Sequence, residues 1–238
     1  LEEITLGKGI TILSASVFTD SFNLKKVNLP VTITKFATLT KKIAGIESES
    51  NAGWQFAGCK GLEEITLPPE LEVLPAYVFY GCSQLKKVVC PDSLTEFLFE
   101  SDFSINGEDV EVKNMRSNLF SNCDALESIV LPAGLKYIPP KTFNNCKNLS
   151  EVIIQKAVTE IMTEAFYNCK ALTFVSVPES VISIGENAFS KCDIFADIFY
   201  TANQESWDKI SIGDNNDNLI SARKHYNTTS VSTHPFES

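Results

Sequence analysis

The sequence predicts a β-rich solenoid of the α/β type: a right-handed stack of about eight coils with short strands, two insertion hairpins and a closing unit at the C-terminus. Three observations carry this. Cysteines 59, 82, 123, 146, 169 and 192 are spaced 23, 41, 23, 23 and 23 residues apart, so one period governs most of the chain and the exception is that period plus 18. Each lies in a Phe-x-x-Cys-x-x-Leu phrase such as Phe143/Cys146/Leu149, with Phe189/Cys192/Phe195 as a variant and Phe18/Ser21/Leu24 as the same phrase with serine. After the leucine comes a short apolar/polar alternation stopped by proline, as in Leu172-Thr-Phe-Val175-Ser-Val177-Pro178.

Alternation over four or five residues that ends at proline reads as a short strand, because proline cannot donate to a ladder. A second apolar pair then leads to the next phenylalanine at constant spacing, as in Leu135/Ile138/Phe143 and Val158/Ile161/Phe166. One such unit buries too little surface to fold alone, whereas identical units stacked as coils cover one another's apolar faces. The Leu-x-x-Ile-x-Leu spacing fits a leucine-rich repeat, and the solenoid is assigned to residues 1–196.

Two interruptions break the period, one between Phe36 and Phe56 and one between Phe97 and Phe120, and are taken as insertions at about 38–52 and 99–115. Both enter at the same point of the coil, so they are predicted to leave from one side with one uninterrupted coil between them. In the second, Asn106-Gly107 between alternating segments signals a type I′ hairpin. In the first, Ala44-Gly45 is the weaker counterpart. Asp102-x-Ser104-x-Asn106-Gly107 opens like a calcium loop, but Lys113 stands where a bidentate glutamate is required.

Equivalent residues of stacked coils point the same way, so cysteines one strand spacing apart (~4.8 Å) have parallel Cβ vectors and are not turned toward each other as a disulfide requires. The expectation is a buried thiol that fills a tight turn and donates weakly to backbone, a role that Ser21 also fits. No Cys-x-x-Cys pair offers a zinc site, and the two histidines, His225 and His234, lie beyond the repeats, away from any thiol they could activate. Cys90 replaces the strand leucine before Pro91 and is expected to point into the core beside Leu67 and Leu131. With no triad, phosphate loop, metal cluster or carboxylate pair, no catalytic activity and no cofactor are expected.

The outward positions carry what remains. The two residues after the strand leucine run Glu2-Glu3, Lys25-Lys26, Glu63-Glu64 and Lys86-Lys87, alternating in sign rung by rung. Opposite charges facing across strands contribute ~0.2–1 kcal/mol, so the pattern favours this stacking register. The next outward column runs Thr5, Asn28, Thr66, Val89, Val130, Ile153, Ser176, Phe199 and turns apolar toward the C-terminus. With Phe174 beside it, Val89, Val130, Ile153, Phe174 and Phe199, together with the hairpin tip Asn106-Gly107, form the candidate ligand surface. The competing reading is that these are strand-formers packed under neighbouring structure.

Twenty basic against thirty acidic residues, a net charge of −10 and no basic run longer than two disfavour a phosphate-backbone partner, so nucleic acid is excluded. No apolar run approaches the ~20 residues that span a bilayer, so no membrane insertion is expected in this segment. The first residues, LEEITLGKGI, are not a signal peptide and begin inside a repeat, which places the natural start upstream of Leu1.

In these phrases the chain resembles the BspA-type leucine-rich repeats of bacterial surface proteins, over roughly residues 1–200. Residues 197–227, with Tyr200, Gln204, Trp207, Ile210, Asn218, Leu219, Ala222 and Tyr226-Asn227, resemble the closing module on many such proteins from Gram-positive gut bacteria. As this C-terminal cap, it is expected to cover the open end with Trp207, Ile210, Leu219 and Ile220, and GDNNDN is expected to cap a helix beginning near Leu219. Residues 228–238 read as a polar tail. The resemblance implies an extracellular or cell-surface, adhesin-like module, monomeric or weakly dimeric, that binds a protein or glycan of host or microbial origin. The residues themselves leave two other readings open: a carbohydrate-binding envelope protein using Phe174, Phe199 and Trp54, or a spacer that projects a neighbouring domain.

Overall fold

A computed structural model describes residues 1–43, 46–106 and 109–228; the predicted tips Ala44-Gly45 and Gly107, and the tail from 229 with His234, lie outside the described residues, as do the side chains of 41–49 and 101–114. The chain forms a parallel β-solenoid of about nine turns. Its first column of strands is Glu3–Thr5, Lys26–Asn28, Glu64–Thr66, Lys87–Val89, Ser128–Val130, Glu151–Ile153, Phe174–Val177, Asp197–Tyr200 and Arg223–His225. Successive strands pair in register at the repeat period, as in Ile4↔Val27, Ile129↔Val152 and Val175↔Ile198. The central residue of each strand points inward, and Val27, Ile65, Val152, Val175 and Ile198 are buried. A second column of two-residue strands, from Ile12–Leu13 to Ser211–Ile212, carries the second apolar pair.

The phenylalanines of the phrase form a continuous stack through the core. Phe18, Phe56, Phe79, Phe120, Phe143, Phe166 and Phe189 follow one another at centroid distances of 5.1–5.6 Å with rings within 18° of parallel. Two left-handed backbone positions in every coil make this geometry possible. The residue before the cysteine site, namely Asp20, Gly58, Gly81, Asn122, Asn145, Asn168 and Lys191, has φ between 57° and 71°. Glycine and asparagine dominate because they enter this region at least cost. The residue two before the phenylalanine has φ between 47° and 65° and is Ser16, Trp54, Tyr77, Asn118, Lys141, Glu164 and Asn187 in turn.

Each insertion is an antiparallel hairpin: Thr40–Ile43 pairs with Ile46–Glu49, and Glu100–Asn106 pairs with Asp109–Arg116. They also alter the ladder. Between the second and third coils only Lys26↔Glu64 remains paired. Between the fourth and fifth, the sheet ends at Lys87–Val89 and a new one begins at Ser128–Val130. There the coils stay joined through their turns: the Phe79 N–H donates to the Leu119 carbonyl (3.0 Å), the Gly81 N–H to the Ser121 carbonyl (2.8 Å) and the Ala125 N–H to the Ser83 carbonyl (3.0 Å). Clefts of about 260 and 330 Å³ lie over the two junctions.

Residues 197–228 continue the stack and alter it. Between the strands Asp197–Tyr200, Ser211–Ile212 and Arg223–His225 run two short helices, Gln204–Trp207 and Asp217–Ser221, so the second helix starts two residues earlier than the acidic segment predicted. Its cap residue Asn216 lies almost wholly buried: Oδ1 accepts from the Phe189 N–H (3.0 Å) and Nδ2 donates to the Gly185 and Gly213 carbonyls. In earlier coils the equivalent phenylalanine N–H donates to a carbonyl of the following coil, as Phe143 does to Ala165 (2.8 Å). Asn216 thus replaces a missing coil. Trp207, Ile210 and Leu219 join the core, whereas Ile220, expected to do so, faces solvent at 59% exposure because it lies on the outer side of its short helix.

Candidate functional site

The repeated thiols are packing groups. Each Sγ lies 3.0–3.2 Å from the phenylalanine carbonyl of the preceding coil, Cys59 on Phe18 through Cys192 on Phe166, and all six are fully buried. All seven cysteines are unbridged. Burial pushes the Cys59 thiol up to about 11 and Cys192 up to about 12, and raises Cys82, Cys123, Cys146 and Cys169 well above the ordinary range. A thiol held in its protonated form is a poor nucleophile and metal ligand. Cys90 is less enclosed than predicted: it packs against the core but also lines the cleft beside Val89 and Val130. Thiol titration of denatured, unreduced protein is expected to return seven groups, and native protein at pH 8 fewer than one within minutes. Five or fewer on denaturation would contradict the free-thiol assignment. Among the described residues no group of three or more His, Cys, Asp or Glu is placed to hold a metal ion, and no helix is long and apolar enough to cross a membrane.

The insertions leave side by side and their bases are joined. Ser50 Oγ donates to a Glu100 carboxylate oxygen, and Asn51 Nδ2 donates to the Phe99 carbonyl at 2.8 Å, linking the end of the first insertion to the start of the second. A small satellite core of Leu39, Ala52, Trp54, Ala76 and Tyr77 sits beneath them. Gln55 Nε2 ties the re-entering chain to the Ala37 carbonyl (2.5 Å), and Arg116 Nε donates to the Tyr77 hydroxyl (2.7 Å). The period placed both insertions at one point of the coil; it could not show that Ser50, Asn51, Phe99 and Glu100 would meet.

On the strand face, the charge alternation becomes a ladder. Lys25 pairs with Glu2 (2.9 Å), Lys26 with Glu3 (3.8 Å) and Lys86 with Glu63 (3.3 Å), all solvent-exposed. Such pairs contribute little individually.

The apolar column does not form one strip. Val89 and Val130 are 41% and 68% exposed and flank the cleft where the sheet is interrupted. Ile153, Phe174 and Phe199 are half-buried. Phe174 packs edge-on against Phe199 at 5.6 Å, and the His225 ring stacks on Phe199 at 4.7 Å while its Nε2 lies 2.7 Å from Asp197 Oδ1. Ser176, between them in register, is buried. Asn106 closes the described part of the second hairpin opposite Asp109. The candidate residues therefore fall into three places rather than one: the valine cleft, the aromatic–histidine group and the hairpins. His225 was legible only as a residue of the last unit, because its column is set by a strand that follows no 23-residue phrase.

The chain matches the sequence model of the BspA type leucine rich repeat region in six copies over residues 1–107 and 113–238. None of the curated proteins matches it. Among solved structures it is similar to a leucine-rich repeat protein of Bacteroides ovatus (20% identity, TM-score 0.59, covering 89% of this chain and 51% of that one). It is also similar to a leucine rich cell surface protein of Faecalibacterium prausnitzii (21%, 0.55, 89% and 62%) and to the leucine rich repeat protein of T. pallidum (24%, 0.54, 72% and 69%). The chain thus spans about half to three-fifths of the first two relatives. The match over nearly its whole length, on a stack whose phenylalanines and cysteines recur coil by coil, establishes that the chain belongs to the BspA-type leucine-rich-repeat family.

Proposed function

We propose that the chain is a non-catalytic, extracellular or cell-surface interaction module, adhesin-like in behaviour, that binds a protein through the paired insertion hairpins. The observation that carries this is the joining of their bases. Long insertions in a repeat protein cost little loop-closure entropy and need no mutual contacts, so two that are tied through Ser50–Glu100 and Asn51–Phe99 present one combined surface. The description of the Faecalibacterium relative as a cell surface protein supports a scaffold at the cell exterior. Residues 197–227 act in this reading as the cap of the stack, with Asn216 satisfying the last coil's backbone.

The test is capture from host matrix and epithelial protein extracts by the intact chain and by a variant lacking 38–52 and 99–115, its folding checked by thermal melting. Capture of a defined protein by the first and at least tenfold less by the second is expected. Equal capture by both would reject the hairpins as the binding element.

A further inference from the structure

The left-handed position two residues before each core phenylalanine costs any residue with a Cβ about 1–2 kcal/mol, and five coils place a polar side chain there: Ser16, Asn118, Asn187 and the ion-paired Lys141 and Glu164. Two coils place aromatic rings there instead, Trp54 and Tyr77. Their rings lie parallel, 4.1 Å apart and within 3°. Tyr80 meets both edge-on at 6.0 and 6.2 Å. Tyr77 is 6% exposed, covered on one side by Trp54 and held at its hydroxyl by Arg116. Trp54 is the end of this stack. Its other face is turned toward the preceding coil, where the same position is Ser16, whose N–H donates to the Gly53 carbonyl (2.8 Å) and whose small side chain is exposed. The slot that a further ring would fill therefore faces the exposed Ser16, and Thr19 and Tyr80, which contact Trp54, are exposed as well. Thr19 Oγ1 holds that turn beside the indole by donating to the Trp54 carbonyl (2.7 Å).

An indole face bordered by the hydroxyls of Ser16, Thr19 and Tyr80 suits a ring that is apolar on one face and hydroxylated at its edge. The net charge of −10 opposes an anionic nucleotide or acidic sugar. We propose that the open face of Trp54 is a stacking platform for a neutral hexose residue of a glycan, with the slot over Ser16 as its seat. Trp54 belongs to the small core beneath the hairpins, and shortening the hairpin tips leaves that core in place, so either reading can fail without the other.

The chain has two tryptophans, and the other, Trp207, is buried. A Trp207→Phe parent therefore makes Trp54 the sole tryptophan, excited selectively over the six tyrosines, and is titrated with cello-, chito- and galacto-hexaoses while calorimetry follows the unaltered chain. A saturable change in Trp54 emission with at least one of these is expected. Trp54→Ala, and separately Ser16→Trp, which fills the slot with a side chain this backbone already accepts at Trp54, are each expected to weaken affinity at least tenfold. Ile182→Ala, at an exposed position on a distant coil, is expected to leave it unchanged. No saturable binding to any oligosaccharide, binding undiminished by Ser16→Trp, or saturation by aromatic peptides and not by sugars would each overturn the proposal.

Discussion

Raising the pH from 9 toward 11 is expected to unfold the protein cooperatively. The six repeat thiols are protonated in both folded and unfolded chains at neutral pH. Above the ordinary thiol range, near 8.5, the unfolded chain loses these protons while burial keeps them on the folded one, up to about 11 at Cys59 and about 12 at Cys192. Stability from this source is complete below the unfolded value and is lost as pH rises through the window to the folded values. Each thiol contributes a slope of about 1.4 kcal/mol per pH unit, so six give roughly 8 kcal/mol per unit, comparable to a whole domain's stability of about 5–15 kcal/mol. Circular dichroism against pH, with urea melts at each step, measures it. Cys146→Ser keeps a donor for the Phe120 carbonyl and is expected to reduce the slope by about 1.4 kcal/mol per unit. A chain that stays folded to pH 11.5, or a slope untouched by that substitution, would contradict the buried-thiol account.

Phe143→Ala is expected to cost about 3–5 kcal/mol and to split unfolding into two transitions. The ring is wholly buried between Phe120 at 5.3 Å and Phe166 at 5.2 Å. Its removal leaves a cavity and deletes two aromatic contacts worth about 0.5–1.5 kcal/mol each beyond burial. In a stack held by nearest-neighbour interfaces, such a gap uncouples the coils on either side. Phe18→Ala, whose ring is more exposed and has one stacked partner, Phe56, is expected to cost less and leave a single transition. Urea denaturation followed by fluorescence and circular dichroism compares the two. Equal costs would show that the phenylalanine column is not a continuous support.

What the sequence made legible follows from what a period encodes. Constant spacing of Phe143, Cys146 and Leu149 with their counterparts defined the coil, and the Glu/Lys alternation at positions 2–3, 25–26, 63–64 and 86–87 defined the stacking register seen in the Lys25–Glu2 pair. The left-handed turn before the cysteine site was also encoded in every coil but the last, in Asp20, Gly58, Gly81, Asn122, Asn145 and Asn168, residue types suited to positive φ, whereas Lys191 before Cys192 gives no such signal.

Other features had no sequence signal. Alternation tells which face a strand residue takes but not what lies over it, so Ser176, in the outward column, is nonetheless buried. An insertion's position does not reveal that the opposite strands lose their pairing, as at Val89 and Val130. Trp54 was visible as an aromatic residue, yet its stacking on Tyr77 depends on a backbone conformation that only the folded coil imposes.

On the proposed function, the repeat is a scaffold and the joined hairpins are its recognition surface. The most direct measurement is the affinity of the captured protein partner for the intact chain, for variants shortened at one tip (42–47 or 103–112) and for the doubly shortened variant, all retaining Ser50, Asn51, Phe99 and Glu100. If the hairpins act as one surface, each single shortening weakens binding at least tenfold and the double shortening adds little more. Unchanged affinity in the folded double variant would contradict the account.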